Sequence, residues 1–419
     1  MKQNIFRKLI LIAVLLTGSH AFAHDFEAQN SDGVTIYYNI TSSADLTLGV
    51  TSGLTKYSGD VVIPQTVIIG EATYIVTSIR GWAFSDCTGL TSVKIPNSVT
   101  SIGDEAFKNC TDLASTTIGN SVTSIGENAF RNCTSLNSIV LPNSVTEIFA
   151  NAFEGCSSLN SITILNDITS FDNSTFINTG WYNKQSDGIL YLDKYCLGYK
   201  GEKPTGTLML KEGTKLIVGD AFADCNDLTS VTIPSSVIVI DCGAFLKCEG
   251  LTSINIPNCV TFIGECAFYR CSGLTSITIP RSVVTIDFEA FYGCSGLNEV
   301  ICESVIPPAA YSPFDCYTKA TLYVPVGSKE TYANATGWNR FANIVEDDTK
   351  TGIESTLVDD VKISVDNGNI VVTGAANANV EVYNVNGQCV YNGTSTTISV
   401  AAKGLYIVKV NDKSFKVML

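Results

Sequence analysis

A 23-residue period in the middle of the chain constrains the fold more than any other sequence feature. The copies share the template V-x-x-I-G-x-x-A-F-x-x-C-x-x-L-x-x-I-x-I-P-x-x. They begin at Val76, Val99, Val122, Val145, Ile168, Thr214, Val237, Val260 and Val283. A coil this short cannot bury both of its sides, so neighbouring coils must stack on one shared core. The period therefore predicts a mostly β solenoid over residues 76–303, made of nine coils.

The template predicts two short strands in each coil. Apolar positions 15, 18 and 20 are followed by proline, which cannot donate to a strand ladder and ends the strand. Apolar positions 1 and 4 predict a second extended piece, and the Ala-Phe pair after it predicts a tight turn. The phenylalanine at position 9 recurs with its apolar neighbours, which predicts a buried column rather than an exposed aromatic stripe. Its members are Phe84, Phe107, Phe130, Phe153, Phe176, Phe222, Phe245, Phe268 and Phe291.

The composition excludes several classes of function. Hydrophobic residues make up 45% of the chain, charged residues 16%, and the mean hydropathy is +0.21, as expected when one long core is lined by apolar side chains. The net charge of −14 argues against nucleic acid and anionic lipid as partners, because phosphate binding needs clustered Lys and Arg. The chain has two histidines and no nucleophile, phosphate-loop or calcium-loop motif. We therefore expect no enzyme, no metal site and no cofactor.

Residues 1–23 have the pattern of a secretory signal peptide. Lys2, Arg7 and Lys8 form a basic start, residues 9–16 an apolar run, and residues 21–23 a small-residue cleavage site. The apolar run is too short to cross a bilayer, which takes about 20 residues. We expect an exported protein, on the outer-membrane surface or extracellular, without a membrane span after signal removal.

One interval breaks the period. Ile168 and Thr214 are 46 residues apart, and Leu208 and Leu210 fall on positions 18 and 20 of the coil that begins at Ile168. This spacing predicts one coil split by an insertion over about residues 180–206. Asp187-Gly188 precedes an alternating stretch and indicates a hairpin. The aromatic residues of the insertion either form a ligand-binding face or pack the hairpin onto the solenoid: Trp181, Tyr182, Tyr191, Tyr195 and Tyr199.

The cysteines follow the repeat rather than a disulfide pattern. Eight of the fifteen occupy template position 12: Cys87, Cys110, Cys133, Cys156, Cys225, Cys248, Cys271 and Cys294. Parallel side chains on adjacent coils have poor geometry for a disulfide, although the coils lie only about 4.8 Å apart. We expect an internal column of free thiols. The other cysteines lack the C-x-x-C spacing of a zinc site.

The segments that flank the repeats predict caps and a second domain. Residues 24–75 predict an N-terminal β cap, and residues 304–346 a C-terminal cap with a short helix from about Lys329. The polar residues 347–352 predict a linker. Residues 353–419 alternate with period two and contain the hairpin signal Asn386-Gly387, which predicts a small antiparallel β-sandwich.

The template resembles the 23-residue leucine-rich repeats of the BspA-like surface proteins, also described as Treponema-type repeats. The resemblance implies a parallel sheet on the concave face of the solenoid and an adhesin-like role on a Bacteroidetes-like bacterium. The partner that it implies is a protein, such as a host matrix or mucosal protein.

The last domain resembles the C-terminal sorting domains of Bacteroidetes type IX secretion in VEVYNVNGQCVY and KGLYIVKV. Near Lys362 it reads KISVDNGN, where those domains have a proline-containing start. A cleaved sorting signal and a permanent related module both remain open.

Exposed strand positions supply the remaining candidate ligand-binding residues, Thr163, Thr232, Asn255 and Thr278. They belong to position 19, which reads mainly Thr and Asn and predicts a neutral hydroxyl and amide surface. Such a surface fits a protein partner, a glycan, or a solvated face with a purely structural role. We rank the protein partner first and the glycan second.

Overall fold

The computed structural model describes residues 24–351, 362–366, 368–373, 379–385, 387–400, 403–410 and 413–419. The predicted signal peptide, the last linker residue, residues 353–361 of the predicted sandwich and Asn386 of the predicted hairpin turn lie outside the described residues. The chain divides into two compact units, Met1–Thr351 and Gly352–Leu419.

The N-terminal cap and the first repeat contain β1 (Phe26–Gln29), β2 (Thr35–Ser42), β3 (Thr47–Thr51), β4 (Gly59–Val62), β5 (Thr66–Ile69), β6 (Ala72–Ile79) and β7 (Leu90–Lys94). The strands β1, β2 and β3 pair in antiparallel order. In contrast, β3 pairs in parallel with β6, and β4 in parallel with β7. The cap therefore already forms one turn of the solenoid and covers the first repeat.

The next coils each contribute a two-residue strand at template positions 3 and 4 and a longer strand near positions 17–20. They are β8 (Ser101–Ile102), β9 (Ser115–Thr117), β10 (Ser124–Ile125), β11 (Ser138–Leu141), β12 (Glu147–Ile148), β13 (Ser161–Ile164) and β14 (Ser170–Phe171). The two-residue strands pair in parallel and form what we call the short ladder. The longer strands form the long ladder, with the sheets β4-β7-β9 and β11-β13. The predicted solenoid with parallel sheets is thus confirmed.

The insertion region contains a 3-10 turn (Asn173–Phe176), α1 (Gly180–Asn183), β15 (Gly188–Leu192), β16 (Tyr195–Lys200) and β17 (Gly206–Met209), and β18 (Leu216–Ile217) and β19 (Leu228–Thr232) follow. In the short ladder β16 pairs in parallel with β18, and in the long ladder β17 pairs in parallel with β19. The insertion therefore forms a turn of its own. The prediction of one split coil was wrong, because β16 and β17 together supply an additional strand to each ladder.

The insertion hairpin differs from its predicted form. Asp187-Gly188 marks the start of β15, and the chain reverses at Asp193, whose φ is +53°. Asp tolerates this left-handed conformation better than most residues.

The second half of the solenoid contains β20 (Val239–Ile240), β21 (Ser253–Asn255), β22 (Phe262–Ile263), β23 (Ser276–Ile279), β24 (Thr285–Ile286), β25 (Glu299–Cys302), β26 (Ala309–Ala310), β27 (Thr321–Val324), α2 (Lys329–Asn334), β28 (Asn343–Glu346) and α3 (Asp348–Thr351). The short ladder runs β16-β18-β20-β22-β24-β26, and the long ladder continues as β17-β19-β21 and β23-β25-β27-β28. Counted from β3 to β26, about 12 turns are stacked.

Residues 347–351 form a capped helical turn, α3 with Asp347 before it, rather than the predicted linker. Asp347 Oδ1 accepts hydrogen bonds from the backbone N–H of Thr349 at 3.0 Å and of Lys350 at 3.2 Å, which caps α3. Lys350 Nζ lies 2.6 Å from Glu299 Oε1, and Thr351 is fully buried. The polar residues therefore fasten α3 to β25 and β27.

The C-terminal unit contains β29 (Lys362–Asp366), β30 (Asn369–Thr373), β31 (Val380–Asn384), β32 (Cys389–Gly393), β33 (Thr397–Ser399), β34 (Leu405–Val410) and β35 (Lys413–Met418). They form two antiparallel sheets, β29-β30-β33 and β32-β31-β34-β35. Alternate side chains such as Val380, Val382 and Val408 are fully buried between neighbours of the same kind. The predicted antiparallel sheets are present.

The phenylalanine column is buried and divided into two. From Phe84 to Phe176, consecutive ring centroids lie 4.8 to 5.6 Å apart, and the rings are nearly parallel. From Phe222 to Phe314 the spacing is 5.1 to 5.4 Å. The division falls where the insertion enters the stack.

The position-12 cysteines are all buried and unpaired, and most of them are hydrogen-bonded to the coil before. Cys110 Sγ donates to the carbonyl of Phe84 at 3.0 Å. The same bond recurs at 3.1 Å from Cys133, Cys156, Cys248, Cys271 and Cys294. Burial raises the pKa of the Cys248 thiol to about 12, so this thiol stays protonated at neutral pH and able to donate. Position 12 therefore serves both packing and hydrogen bonding.

Candidate interaction surface

The long ladder presents alternate side chains to solvent, because successive residues of a strand point to opposite faces. Positions 18 and 20 face the core, and positions 17 and 19 face outward. We call the position-19 side chains the outer row. Strand register places Lys94 beside Thr117, Val140 beside Thr163, Met209 beside Thr232, Thr232 beside Asn255, and Thr278 beside Ile301.

The four predicted strand residues all belong to the outer row. Thr163, Thr232 and Asn255 are exposed, and Thr278 is half-buried. Sequence reasoning missed Met209, which is 74% exposed and whose turn lies between those of Thr163 and Thr232. The signal was available, since Leu208 and Leu210 at positions 18 and 20 leave residue 209 at position 19. Met209 and Val140, which is 51% exposed, add apolar side chains to the row.

The outward face is neutral over most of its length. Between Thr117 and Thr278 neither the outer row nor the position-17 row has a charged side chain; the latter row reads Ser115, Ser138, Ser161, Thr207, Ser230, Ser253 and Ser276. At the N-terminal end, the hydroxyls of Thr91 and Ser92 donate to Asp60 Oδ1 at 2.8 and 2.5 Å. These bonds lower the pKa of that carboxyl.

One strand is missing from the long ladder at the insertion. Within the described part of the chain, β13 pairs only with β11, and β17 only with β19. The coil that begins at Ile168 has no long strand of its own, because the chain passes from β14 into α1 and the hairpin. We call the space between Ser161–Ile164 and Gly206–Met209 the strand gap. Hydrogen bonding also lapses between β9 and β11 and between β21 and β23, but those strands are in closer contact with each other than β13 is with β17.

The insertion replaces the missing strand at one end through α1. Trp181 N donates to the carbonyl of Leu159 at 2.7 Å, and Gly180 N to that of Cys156 at 3.3 Å. Both acceptors belong to the coil that contains β13. The chain just before β13 is therefore covered.

At the other end a tyrosine hydroxyl takes the place of a strand carbonyl. In an intact coil, Leu165 N donates to the carbonyl of Leu141 in the coil before, at 3.2 Å. Lys211 holds the corresponding position after β17, and its N–H donates to Tyr191 Oη at 2.9 Å. In the middle of the gap, no residue in the described part of the chain supplies such a substitute.

The insertion aromatics pack against the core, in agreement with one of the two interpretations of the sequence. Tyr195 is 1% exposed, and its hydroxyl accepts from Ile168 N at 3.0 Å and donates to the carbonyl of Asn166 at 3.2 Å. This burial removes Tyr195 from the candidate ligand-binding residues. The other four, Trp181, Tyr182, Tyr191 and Tyr199, are half-buried against the core. Burial raises the pKa of Tyr191 and of Tyr199 to about 12.

A lysine fastens the hairpin to α1. Lys200 Nζ donates to the carbonyls of Gln185, Tyr182 and Asn183 at 2.6, 3.1 and 3.3 Å. The same ammonium lies 5.0 Å from the centroid of the Tyr182 ring. A cation at a helix C-terminus satisfies carbonyls that have no partner within the helix.

Four carboxyl groups interact beside the insertion. Burial raises the pKa of Asp241, which is 2% exposed. Burial also raises the pKa of Asp220, and the neighbouring charges of Asp172, Asp224 and Asp241 raise it further. Within the described ranges no group of three His, Cys, Asp or Glu residues is placed to hold a metal ion. In the same ranges, no helix has the length and apolar character needed to cross a membrane.

Comparison with known families gives one match. A family model described as BspA type leucine rich repeat region matches residues 67–181 and 214–331 in six copies. The unmatched stretch between them includes the hairpin and β17. No curated protein sequence matches the chain.

Several similar solved structures are leucine-rich repeat proteins of bacteria. A leucine rich cell surface protein from Faecalibacterium prausnitzii is 24% identical over 76% of this chain and 94% of that chain, with a TM-score of 0.31. A leucine-rich repeat protein from Bacteroides ovatus is 23% identical over 74% and 98%, with a TM-score of 0.28. The T. pallidum Leucine Rich Repeat protein is 25% identical over 62% and 87%, with a TM-score of 0.30. TM-scores this low do not support the transfer of a role.

Proposed function

The chain belongs to the BspA type leucine-rich repeat family, and from this premise we propose that it is an exported, adhesin-like protein of a bacterial cell surface. In this proposal it binds a protein partner, such as a host matrix or mucosal protein, through the outer row. The role requires a binding surface and no catalytic group or cofactor.

One observation supports the outer row as the binding surface. Val140 and Met209 are exposed apolar side chains within a face of neutral hydroxyl and amide groups, and Met209 borders the strand gap. Protein interfaces combine an apolar centre with a polar surround and few charges. Thr163, Thr232 and Asn255 would form the polar surround.

The test is a binding measurement on purified protein with immobilised collagen, fibronectin and mucin. We expect saturable binding to at least one of them, and Val140→Asp should weaken it about tenfold or more. The matched control is Val284→Asp, because Val284 is 65% exposed but lies directly before the short-ladder strand β24, at template position 2. Equal affinities of the two variants would show that the outer row is not the binding surface.

Glycan binding is the second candidate function, and the exposed groups of Thr163, Thr232 and Asn255 favour it. Sugar rings also stack on aromatic faces, and the two aromatic residues whose groups bond at the ends of the strand gap, Trp181 and Tyr191, are half-buried. A glycan array decides between the two candidates. Saturable binding to glycans without binding to any of the proteins would reverse the ranking.

For the C-terminal unit we propose a role in export, supported by the resemblance of its strand sequences to sorting domains. Removal of residues 353–419 should leave the solenoid inside the cell envelope, whereas the complete protein reaches the surface. Protease accessibility on intact cells measures this. Equal surface exposure of both forms would make the unit a permanent module without a sorting role.

A further inference from the structure

We propose that the strand gap binds an extended peptide segment of the partner, which joins the long ladder as a parallel strand between β13 and β17. This inference rests on the proposed function, because it names the chemistry of the partner that the outward face meets. Two observations carry it: free backbone groups on both edges of the gap, and core side chains left half-exposed there.

Intact coils show which backbone groups point into the gap. Ile95 N, at position 20, donates to the carbonyl of Thr117 in the next coil at 2.9 Å. Leu165 N, at position 21, donates backward to Leu141 at 3.2 Å. Even positions therefore point forward along the solenoid and odd positions point backward, and in a parallel strand the N–H and C=O of one residue point to the same side.

The same rule applies at the gap. From β13, the N–H and C=O of Ile162 and Ile164 point forward into it. From β17, those of Thr207 and Met209 point backward into it. No backbone hydrogen bond joins these groups to any residue that the structure describes. Such edges are templates for a further strand, and peptides bind to them through main-chain hydrogen bonds.

The side chains along the gap favour a neutral, partly apolar peptide. Ile162 and Ile164 are half-buried, whereas Ile139 and Leu141 at the same positions one coil earlier are 1% exposed. Leu165, at the end of β13, is 55% exposed. The strands β13 (SITI) and β17 (GTLM) contain no charged residue. A segment of about four residues, apolar at alternate positions, matches the open length.

The probe for this test is a fluorescent peptide with the sequence LTSITIPRS, copied from residues 274–282 of this chain. In its own coil this segment forms the long-ladder strand β23, and the coil that begins at Ile168 lacks the corresponding strand. We expect saturable binding to the purified protein in fluorescence anisotropy. A control peptide carries N-methyl groups on the two isoleucines, which keeps the side chains and removes the amide donors. It should bind about tenfold more weakly or worse.

Two variants of the same residue separate backbone from side chain. Met209→Pro removes an N–H that points into the gap and leaves the bonds from β17 to β19 in place, because proline is tolerated on an open edge. Met209→Ala keeps that N–H. We expect Met209→Pro to lose peptide binding about tenfold or more and Met209→Ala to retain most of it, at equal melting temperatures.

Several results would overturn the inference. They are equal binding of the parent and N-methylated peptides, unchanged binding by Met209→Pro, and absence of saturable binding up to about 1 mM. A concentration-dependent dimer abolished by Met209→Pro would make a second copy of this chain the occupant instead. Partner binding that depends on Val140, without peptide binding, would leave the proposed function standing and remove this inference alone.

Discussion

Phe130→Ala tests whether the phenylalanine columns hold the solenoid together. Phe130 is fully buried between Phe107, with ring centroids 4.9 Å apart, and Phe153, at 5.3 Å. Loss of a buried phenylalanine ring costs about 3–5 kcal/mol of unfolding free energy through lost transfer and the cavity left behind. Two aromatic contacts of about 0.5–1.5 kcal/mol each favour the upper half of that range. Among the rings that the structure describes, Phe222 begins the second column and stacks only on Phe245, at 5.4 Å, so Phe222→Ala should cost less.

The assay must resolve single coils, because coils of a solenoid couple mainly to their neighbours. Hydrogen exchange followed by mass spectrometry should show protection lost first in the coils that begin at Val99, Val122 and Val145. Thr163→Ala is the surface control and should change stability by no more than about 0.5 kcal/mol. If Phe130→Ala shifts the melting temperature no more than the control does, the phenylalanine column does not stabilise the solenoid in this way.

Three further predictions follow from buried groups. In native protein a thiol reagent should label only the exposed cysteines, Cys242, Cys259 and Cys389, and in denatured protein all fifteen; native labelling of Cys133 would contradict the buried column. Burial raises the folded-state pKa of Asp241, so ionisation at neutral pH opposes folding and the penalty is relieved as pH falls through that raised value. Asp241→Asn should therefore raise the urea midpoint at pH 7 and reduce the gain in stability as pH falls from 7 toward the ordinary carboxyl pKa of about 4. An unchanged gain would show that other groups cause it. Lys200→Met should lower stability by about 1–3 kcal/mol and speed exchange in residues 180–200, because three carbonyls lose a charged donor; exchange equal to wild type there would show that α1 does not depend on it.

The repeat allowed most of the solenoid to be predicted from sequence, but not the insertion. Period arithmetic placed Leu208 and Leu210 on the correct strand positions, because the spacing to Thr214 is preserved. It could not show to which turn that strand belongs. Tyr195 and Cys196 occupy the short-ladder positions of the extra turn without the V-x-x-I pattern, so only tertiary pairing reveals them. The strand gap could not be predicted from the sequence for the same reason, because it too depends on tertiary pairing.

Another regularity could have been predicted and was missed. Template positions 7 and 11 have positive φ in nearly every coil, for example +58° at Asn109 and +59° at Asn132. Asn, Asp and Gly are frequent at both positions, which is the composition expected of left-handed backbone. Lys247 and Arg270 adopt the same conformation, with φ +55° and +57°, so the stack imposes it even on residues that do not favour it.

In and beside the insertion, we expect some residues to act on folding and others to act on peptide binding. Its hairpin continues the core, since Tyr195 packs edge-on against Phe171 at 5.2 Å and its hydroxyl bonds to Ile168. Its chain does not continue the long ladder, since α1 and Tyr191 satisfy only the ends of the missing strand. Changes to Tyr195 or Lys200 should therefore act on folding. A change confined to the backbone N–H of Met209 should act on peptide binding alone, because none of the residues that the structure describes accepts a hydrogen bond from that group.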